Sequence, residues 1–229
     1  MPLLLLHGAI GSSVQLKPLS AELAKSGFDV HLFDFVGHGG RPLPEGPFGI
    51  PLFAAEVISW MNEQRISTID IFGYSMGGYV ALYLAKYYPD RIGKILTVAT
   101  KLAWDVPTSE KEVKMLDPKK IAEKIPKFAE ALRKRHAPVG WEMVLNKTAG
   151  MMLEMGKQPP LTDNDFKNIP NKVQLCVGDR DTMVSLGETN HVYRLLPDAA
   201  LNVIPNTPHP IEQMDVETLG AIAQKFMKA

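Results

Sequence analysis

The segment Gly73–Gly77 reads G-Y-S-M-G, and these residue types at this spacing can present a serine hydroxyl as a nucleophile at a sharp turn. The same pattern also fits a glycine-rich turn with an incidental serine. An apolar run at Thr68–Phe72 precedes Ser75, and helical periodicity over Met76–Tyr87 follows it. This placement between a strand and a helix favours Ser75 as a nucleophile.

A serine hydroxyl is a weak nucleophile at neutral pH, so it needs a base that accepts its proton. Among the six histidines, His209 follows the last predicted strand and precedes the last predicted helix, in a loop that contains three prolines. His31 and His191 lie inside a predicted strand and a predicted helix, so we expect structural or surface roles for them. His209 is therefore the predicted base, with His136 as a weaker alternative.

The base in turn needs an acid that orients its ring. The segment Gly178–Asp181 follows the fifth predicted strand and contains two carboxylates. Asp179 lies next to a glycine and suits an Asx-type turn. Asp181 lies deeper in the loop, free to point toward a neighbouring loop, so it is favoured as the orienting acid over Asp179.

Acyl chemistry also requires N–H donors that bind the developing oxyanion. The loop His7–Ser13 contains two glycines and can turn its backbone N–H groups inward, with Ala9 as the candidate donor. Met76, the residue after the nucleophile, would supply the second donor. A phosphate-binding loop is the competing interpretation, but the G-x-x-x-x-G-K-[ST] and G-x-G-x-x-G spacings are absent.

The elements that must position these residues alternate between strand and helix. Helix-like segments separate most of the apolar runs, which indicates a doubly wound, mostly parallel α/β sheet of about six strands. The predicted strands are Leu3–Leu6, Phe28–Phe35, Thr68–Phe72, Ile92–Val98, Val173–Val177 and Leu201–Ile204.

Residues 103–168 interrupt this alternation. They contain no strand-like run and two or three amphipathic helices, one of them predicted over Pro118–His136. Five of the eleven methionines lie here, and flexible thioether side chains suit an adaptable apolar surface, although each could simply fill a core gap. We expect a helical insertion at 103–168 in a core formed by 1–102 and 169–229, with Trp141, Met151 and Met152 lining a substrate pocket.

The overall composition narrows the function. Lys+Arg and Asp+Glu number 25 each in 229 residues, so no long-range field favours nucleic acid or an anionic membrane. The single cysteine, Cys176, excludes an internal disulfide and is predicted to be a buried strand thiol. No apolar stretch has transmembrane length or the features of a signal peptide, so we expect a cytoplasmic protein.

Several of these motifs together resemble the α/β-hydrolase superfamily. Leu3–Gly8 resembles its oxyanion strand and turn, Phe33–Gly39 its D-x-x-G-H-G segment, and Gly73–Gly77 its nucleophile elbow. Gly178–Asp181 resembles the family's G-x-x-D acid loop, and His209 its catalytic histidine. The 103–168 insertion lies where the family carries a helical cap. The chain begins almost at the oxyanion strand, which is consistent with about six strands rather than the family's usual eight.

The resemblance implies the triad order Ser75, Asp181, His209, and it raises Asp181 further over Asp179. We expect an enzyme that hydrolyses a carboxylic ester or thioester of a small, partly apolar acyl group, without cofactor or metal. A C–C bond hydrolase or a lactonase with the same triad is the alternative. Haloalkane dehalogenases and epoxide hydrolases are disfavoured because they use an aspartate at the position of Ser75. A non-catalytic ligand-binding protein on this fold is the remaining class. The oligomeric state stays open.

Overall fold

The computed structural model describes residues 2–229. Its centre is a sheet of six strands: β1 (Pro2–Leu6), β2 (Asp29–Phe33), β3 (Ile69–Tyr74), β4 (Ile92–Val98), β5 (Val173–Gly178) and β6 (Ala199–Ile204). Ten α-helices occur in the described residues: α1 (Lys17–Lys25), α2 (Ile50–Glu63), α3 (Met76–Tyr87), α4 (Val106–Val113), α5 (Pro118–Lys124), α6 (Pro126–His136), α7 (Trp141–Lys157), α8 (Asp163–Phe166), α9 (Leu186–Leu195) and α10 (Val216–Lys228). The predicted fold class is confirmed, and each predicted strand is present with ends shifted by a few residues.

The strand order is β2-β1-β3-β4-β5-β6, and every neighbouring pair is parallel. The chain runs from β1 outward to β2 and then returns to β3 on the other side of β1. The loops after β1 and β3 therefore leave the sheet in opposite directions at a topological switch point, which is where open α/β sheets form a crevice. The loop after β1 contains Ala9, and Ser75 directly follows β3.

Both faces of the sheet are buried, as a parallel sheet requires. In β1, Leu3 and Leu5 pack in a cluster with residues of α1 and α10, whereas Leu4 and Leu6 pack in a cluster with residues of α2, α3 and α9. All four leucines are fully buried. This burial on both faces explains why the sequence of β1 is a continuous apolar run.

Between β4 and β5 the described chain contains five α-helices, α4 to α8, joined by loops and a short 3₁₀ turn, and no strand. The single helix predicted over Pro118–His136 is wrong, because the structure divides it into α5 and α6. The division occurs at Ile125, whose φ is −136°, directly before Pro126. Proline disfavours the helical conformation of the preceding residue and lacks an N–H for the helix, so α6 starts anew with its proline in the first turn.

No helix in residues 2–229 combines the length and the apolar character needed to cross a membrane.

Candidate active site

Ser75 occupies the strained turn between β3 and α3. Its φ of 50° and ψ of −116° lie outside the regions that a non-glycine residue ordinarily adopts. Two hydrogen bonds hold this conformation: the Ser75 N–H donates to the Val98 carbonyl at 2.8 Å, and the Thr100 hydroxyl donates to the Ser75 carbonyl at 3.1 Å. Ser75 therefore lies between β3 and α3 and is part of neither element.

The two glycines of the turn are required by close backbone contacts. A Cβ on Gly73 would lie 2.5 Å from the backbone nitrogen of Gly78, and a Cβ on Gly77 would lie 2.6 Å from the carbonyl carbon of Leu6. Real Cβ atoms do not approach backbone this closely, so a larger residue at either position would displace α3 or β1.

The predicted base and acid are hydrogen-bonded to each other. His209 Nδ1 donates to Asp181 Oδ2 at 2.8 Å, and the Asp181 side chain is fully buried while that of His209 is 12% exposed. The two residues follow β6 and β5, which are adjacent and parallel, so the sheet brings their loops together. The Tyr74 hydroxyl donates to the His209 carbonyl at 3.1 Å and fixes the histidine loop against β3.

Asp181 also accepts from the N–H groups of Met183 and Val184, both at 2.8 Å, through its other oxygen. Burial by itself would raise the pKa of Asp181, but the hydrogen bonds from His209 and these two N–H groups outweigh burial and hold the pKa below its ordinary value. The carboxylate therefore stays ionised beside the imidazole.

The Asx-type turn predicted for Asp179 belongs instead to Asp181, whose Oδ1 accepts from the residues two and three positions later. Asp179 accepts from the Thr207 N–H at 3.2 Å and so ties the acid loop to the loop of His209. The loop contains two acids because one positions the loops and the other contacts the imidazole.

The predicted oxyanion donors have no competing acceptor. Among residues 2–229, neither the Ala9 N–H nor the Met76 N–H donates to a protein acceptor. The Ser75 hydroxyl likewise forms no hydrogen bond with a described residue, although catalytic hydrogen bonds often tighten only when substrate binds.

A cavity of about 50 Å³ brings these groups together, and Ala9, Ser75, Met76 and His209 all line it. Met151 and Met152, predicted for the pocket, line it as well, and both come from α7. A larger cleft of about 710 Å³ beside α6, α1 and α10 contains none of the predicted site residues. Chemistry rather than size identifies the candidate site.

The structure does not bring Trp141 to this cavity. Its side chain, at the start of α7, is 3% exposed and packs in an apolar cluster inside the helical segment, together with Leu132 of α6 and Leu145. The distance along the helix explains the difference, because Met151 and Met152 lie almost three turns, or about 15 Å, further along α7 than Trp141.

Several residues that line the cavity were not predicted from the sequence, notably Lys101 and Glu112, together with Trp104 and Met155. Lys101 lies in the loop after β4. Because ligands of parallel sheets bind at the carboxyl ends of the strands, this position could have predicted Lys101 as a lining residue. Met155 is one helical turn from Met151 and Met152, so its place on the cavity wall could also have been predicted. No sequence pattern predicts Glu112 as a lining residue, because the helix period does not reveal which face of an inserted helix meets the sheet.

The end of α6 holds the loop that contains Ala9. Ile10 has a φ of 52°, and its carbonyl accepts from Arg135 Nη1 at 3.1 Å and from His136 Nε2 at 2.9 Å. His136, the weaker candidate for the base, thus contacts the predicted oxyanion loop, His7–Ser13, through Ile10, and is not among the residues that line the cavity beside Ser75. The helical segment thereby contributes to the geometry of the predicted oxyanion donor.

Three buried histidines lie at this contact. The ring centroids of His7 and His38 are 5.1 Å apart, and those of His38 and His136 are 5.9 Å apart. Burial lowers the pKa of His7 to about 4, and it also lowers the pKa values of His38 and His136. All three are therefore neutral at pH 7.

Cys176 is 1% exposed in β5, and burial raises the pKa of its thiol to about 12. The prediction of a buried strand thiol is confirmed.

Comparison with known proteins places the chain in a family. Residues 1–138 match the sequence model of the α/β hydrolase fold. A thermostable monoacylglycerol lipase from Bacillus sp. (strain H-257) is 35% identical over 106 residues, which cover 45% of this chain and 41% of the lipase. The chain spans less than half the length of the curated relatives that it matches at 30% identity or more.

Solved structures give the same fold along the whole chain. A thermophilic esterase from Thermogutta terrifontis superposes with a TM-score of 0.79 at 22% identity, covering all of this chain and 89% of the esterase. A meta-cleavage product hydrolase from Pseudomonas fluorescens IP01 superposes with a TM-score of 0.80 at 18% identity, covering all of this chain and 90% of that structure. The chain belongs to the α/β-hydrolase family.

Proposed function

We propose that the protein is a serine hydrolase that cleaves a carboxylic ester or thioester of a small, partly apolar acyl group. One observation supports this most strongly: the His209 imidazole, paired with a buried carboxylate at 2.8 Å, lines the same cavity as the strained Ser75. Two unused N–H groups, of Ala9 and Met76, line that cavity too. These are the parts that acyl transfer requires.

In the proposed reaction, the Ser75 hydroxyl attacks the acyl carbon and gives its proton to His209 Nε2. Asp181 holds the imidazole by Nδ1 and stabilises the positive charge that forms on it. The N–H groups of Ala9 and Met76 bind the oxyanion. His209 then protonates the leaving alcohol or thiol, and water, deprotonated by the same imidazole, releases the acid from the acyl-enzyme.

The size and lining of the cavity support a small acyl group. A volume of about 50 Å³ admits only a few non-hydrogen atoms unless the lining side chains move. Much of the lining is apolar and includes five methionines, Met76, Met151, Met152, Met155 and Met183, whose flexible side chains allow such movement. We further propose that residues 103–168 act as a cap that sets the shape of the cavity.

Labelling with a fluorophosphonate tests the proposal directly. The wild type should bind one probe covalently at Ser75, located by peptide mass spectrometry, and should hydrolyse p-nitrophenyl esters of short acids. Ser75→Ala should lose the label and at least about four orders of magnitude in kcat, with unchanged thermal stability. Retention of a tenth of the wild-type activity by this variant would place the nucleophile elsewhere, and an unlabelled wild type would favour a ligand-binding protein.

A further inference from the structure

The cavity beside Ser75 contains an ion pair that the hydrolytic chemistry does not use. Lys101, after β4, and Glu112, on α4, both line the cavity, with Lys101 Nζ 3.6 Å from Glu112 Oε1. Glu188 Oε2, on α9, lies 3.7 Å from the same ammonium. Lys101 Nζ also donates to the Met183 carbonyl at 3.0 Å.

The two glutamates differ in how fully their oxygens are used. Glu188 accepts from the N–H groups of Leu102 and Ala103 with one oxygen, and from the N–H and hydroxyl of Ser185 with the other. This carboxylate is saturated and is structural.

Glu112 is only 7% exposed, yet its carboxylate accepts no hydrogen bond from any residue in 2–229. Its one charged partner, Lys101, is 3.6 Å away, beyond hydrogen-bond distance. Because this carboxylate keeps unused acceptor capacity and its oxygens are not fully enclosed, it can accept a hydrogen bond from a group that another molecule supplies. Glu112 lines the cavity, so a molecule bound there can supply that donor.

The backbone holds Glu112 in place. The Asp105 side chain caps α4 by accepting from the Thr108 N–H at 2.7 Å. The helix also packs closely on α7, where a Cβ on Gly156 would lie 2.6 Å from Ser109 Cβ. The carboxylate is therefore presented by a fixed helix rather than by a mobile loop.

We propose that Glu112 is a specificity-determining residue that accepts a hydrogen bond from a hydroxyl group on the substrate. The inference rests on the proposed function, because it assigns the substrate class for the Ser75 site. Lys101, Glu112 and Glu188 together carry one net negative charge, so the subsite favours a neutral hydroxyl donor and disfavours a carboxylate at the same place. The substrate is a hydroxylated ester, with the hydroxyl on either the acyl or the alcohol part.

Matched esters measure this preference. In one series the alcohol part ends in methyl, hydroxyl or carboxylate on an unchanged butanoyl group, and in the other a hydroxyl is placed on the acyl part. Hydrolysis is followed by titration of the released acid. The wild type should prefer a hydroxylated ester over its methyl-ended counterpart by about tenfold to a hundredfold in kcat/KM, in at least one series, and should disfavour the carboxylate-ended ester.

Variants separate recognition from structure. Glu112→Leu should abolish the hydroxyl preference. Glu112→Gln, which keeps an acceptor but loses the charge, should keep part of it and raise the relative rate on the carboxylate-ended ester. Glu110→Gln, at an exposed position two residues earlier on α4, is the matched control and should retain the wild-type ratios. Thermal denaturation confirms that each variant folds, and the Gln variant keeps the test available if the Leu variant does not.

Each outcome decides the question. Absence of a hydroxyl preference in both wild-type series overturns the inference, as does its persistence in Glu112→Leu, while the proposed function stands if the unsubstituted ester is hydrolysed and Ser75 is labelled. Failure of every ester together with an unlabelled Ser75 overturns the proposed function and this inference with it.

Discussion

The carboxyl edge of the sheet and the helical segment 103–168 both line the small cavity, but they do so by different means. At the sheet edge, parallel strands end side by side, so the loops with Ser75, Asp181 and His209 converge wherever the strand order is kept. In the helical segment, Glu112 of α4 and Met151 and Met152 of α7 line the cavity. The positions of the three loop residues therefore follow from the strand order. The positions of the residues on α4 and α7 depend instead on many helix-packing contacts.

The two regions also differ in chemistry. The sheet edge contributes the hydrogen-bonded Asp181 and His209, the strained serine and the unused N–H groups, which are the parts that acyl transfer requires. The residues that α7 contributes to the cavity wall are methionines, which present thioether side chains. We therefore expect substitutions at the edge to change the rate for every substrate, and substitutions in the helical segment to change the order of preference among substrates.

The acid loop gives the largest contrast within the sheet edge. Asp181→Asn should lower kcat by about three to four orders of magnitude, because the amide no longer holds the imidazole in the required tautomer. Asp179→Asn is the matched control two residues away, and it should mainly lower thermal stability, since its carboxylate contacts the Thr207 backbone rather than His209. Steady-state kinetics on one short ester, with melting temperatures for both variants, makes the comparison. Equal loss of kcat in the two variants would contradict the distinction between the two acids.

The difference between the regions explains what the sequence alone revealed. Six apolar runs with helical segments between them were sufficient for the sheet, because buried parallel strands and their connecting helices follow from local periodicity. The G-x-S-x-G turn and the loops after β5 and β6 then gave Ser75, Asp181 and His209, since each lies next to a strand end. The structure places Asp181 and His209 2.8 Å apart, as the loop positions predicted.

The same reasoning did not predict the contacts of the helical segment. Its period shows that a helix has an apolar face but not which neighbour that face meets. Trp141 and Met151 both belong to apolar faces of α7, yet Trp141 packs inside the segment and Met151 lines the cavity. The division between α5 and α6 was missed because apolar spacing continued through Pro126. The hydrogen bonds of Arg135 and His136 to Ile10 span more than 120 residues, and no local pattern predicts such a contact.

Met152 and Trp141 test the division of roles within the helical segment. Met152→Ala should shift the acyl-chain-length preference by about 1 to 3 kcal/mol in kcat/KM while fluorophosphonate still labels Ser75, because a lining group is lost. Trp141→Ala should instead cost about 3 to 5 kcal/mol of unfolding free energy, because it opens a void in the apolar cluster. A chain-length series of p-nitrophenyl esters and urea denaturation are the measurements. An unchanged preference in Met152→Ala would assign the pocket to the sheet loops.

The contact between the two regions should be sensitive to acid, and this effect should change stability gradually with pH rather than abolish activity. His7 and His38 follow β1 and β2, and His136 ends α6, so the histidine cluster lies where the helical segment meets the sheet. Burial holds the folded-state pKa of each below the ordinary value of 6.5, for His7 at about 4. The nearby charges act against one another, since Asp34 favours and Arg135 disfavours protonation of His7 and His136, and Arg41 disfavours protonation of His38.

Because the unfolded chain binds protons that the folded chain does not, stability is fully present above pH 6.5 and falls as the pH drops toward about 4. The slope should approach about 1.4 kcal/mol per pH unit for each histidine that stays neutral in the folded state. Urea denaturation at several pH values between about 7.5 and 5 measures it. His136→Gln, which retains an N–H donor for the Ile10 carbonyl, should reduce the slope. An equal slope in His136→Gln and the wild type would show that this imidazole gains its proton without unfolding, so that the contact of α6 with the oxyanion loop tolerates a charge.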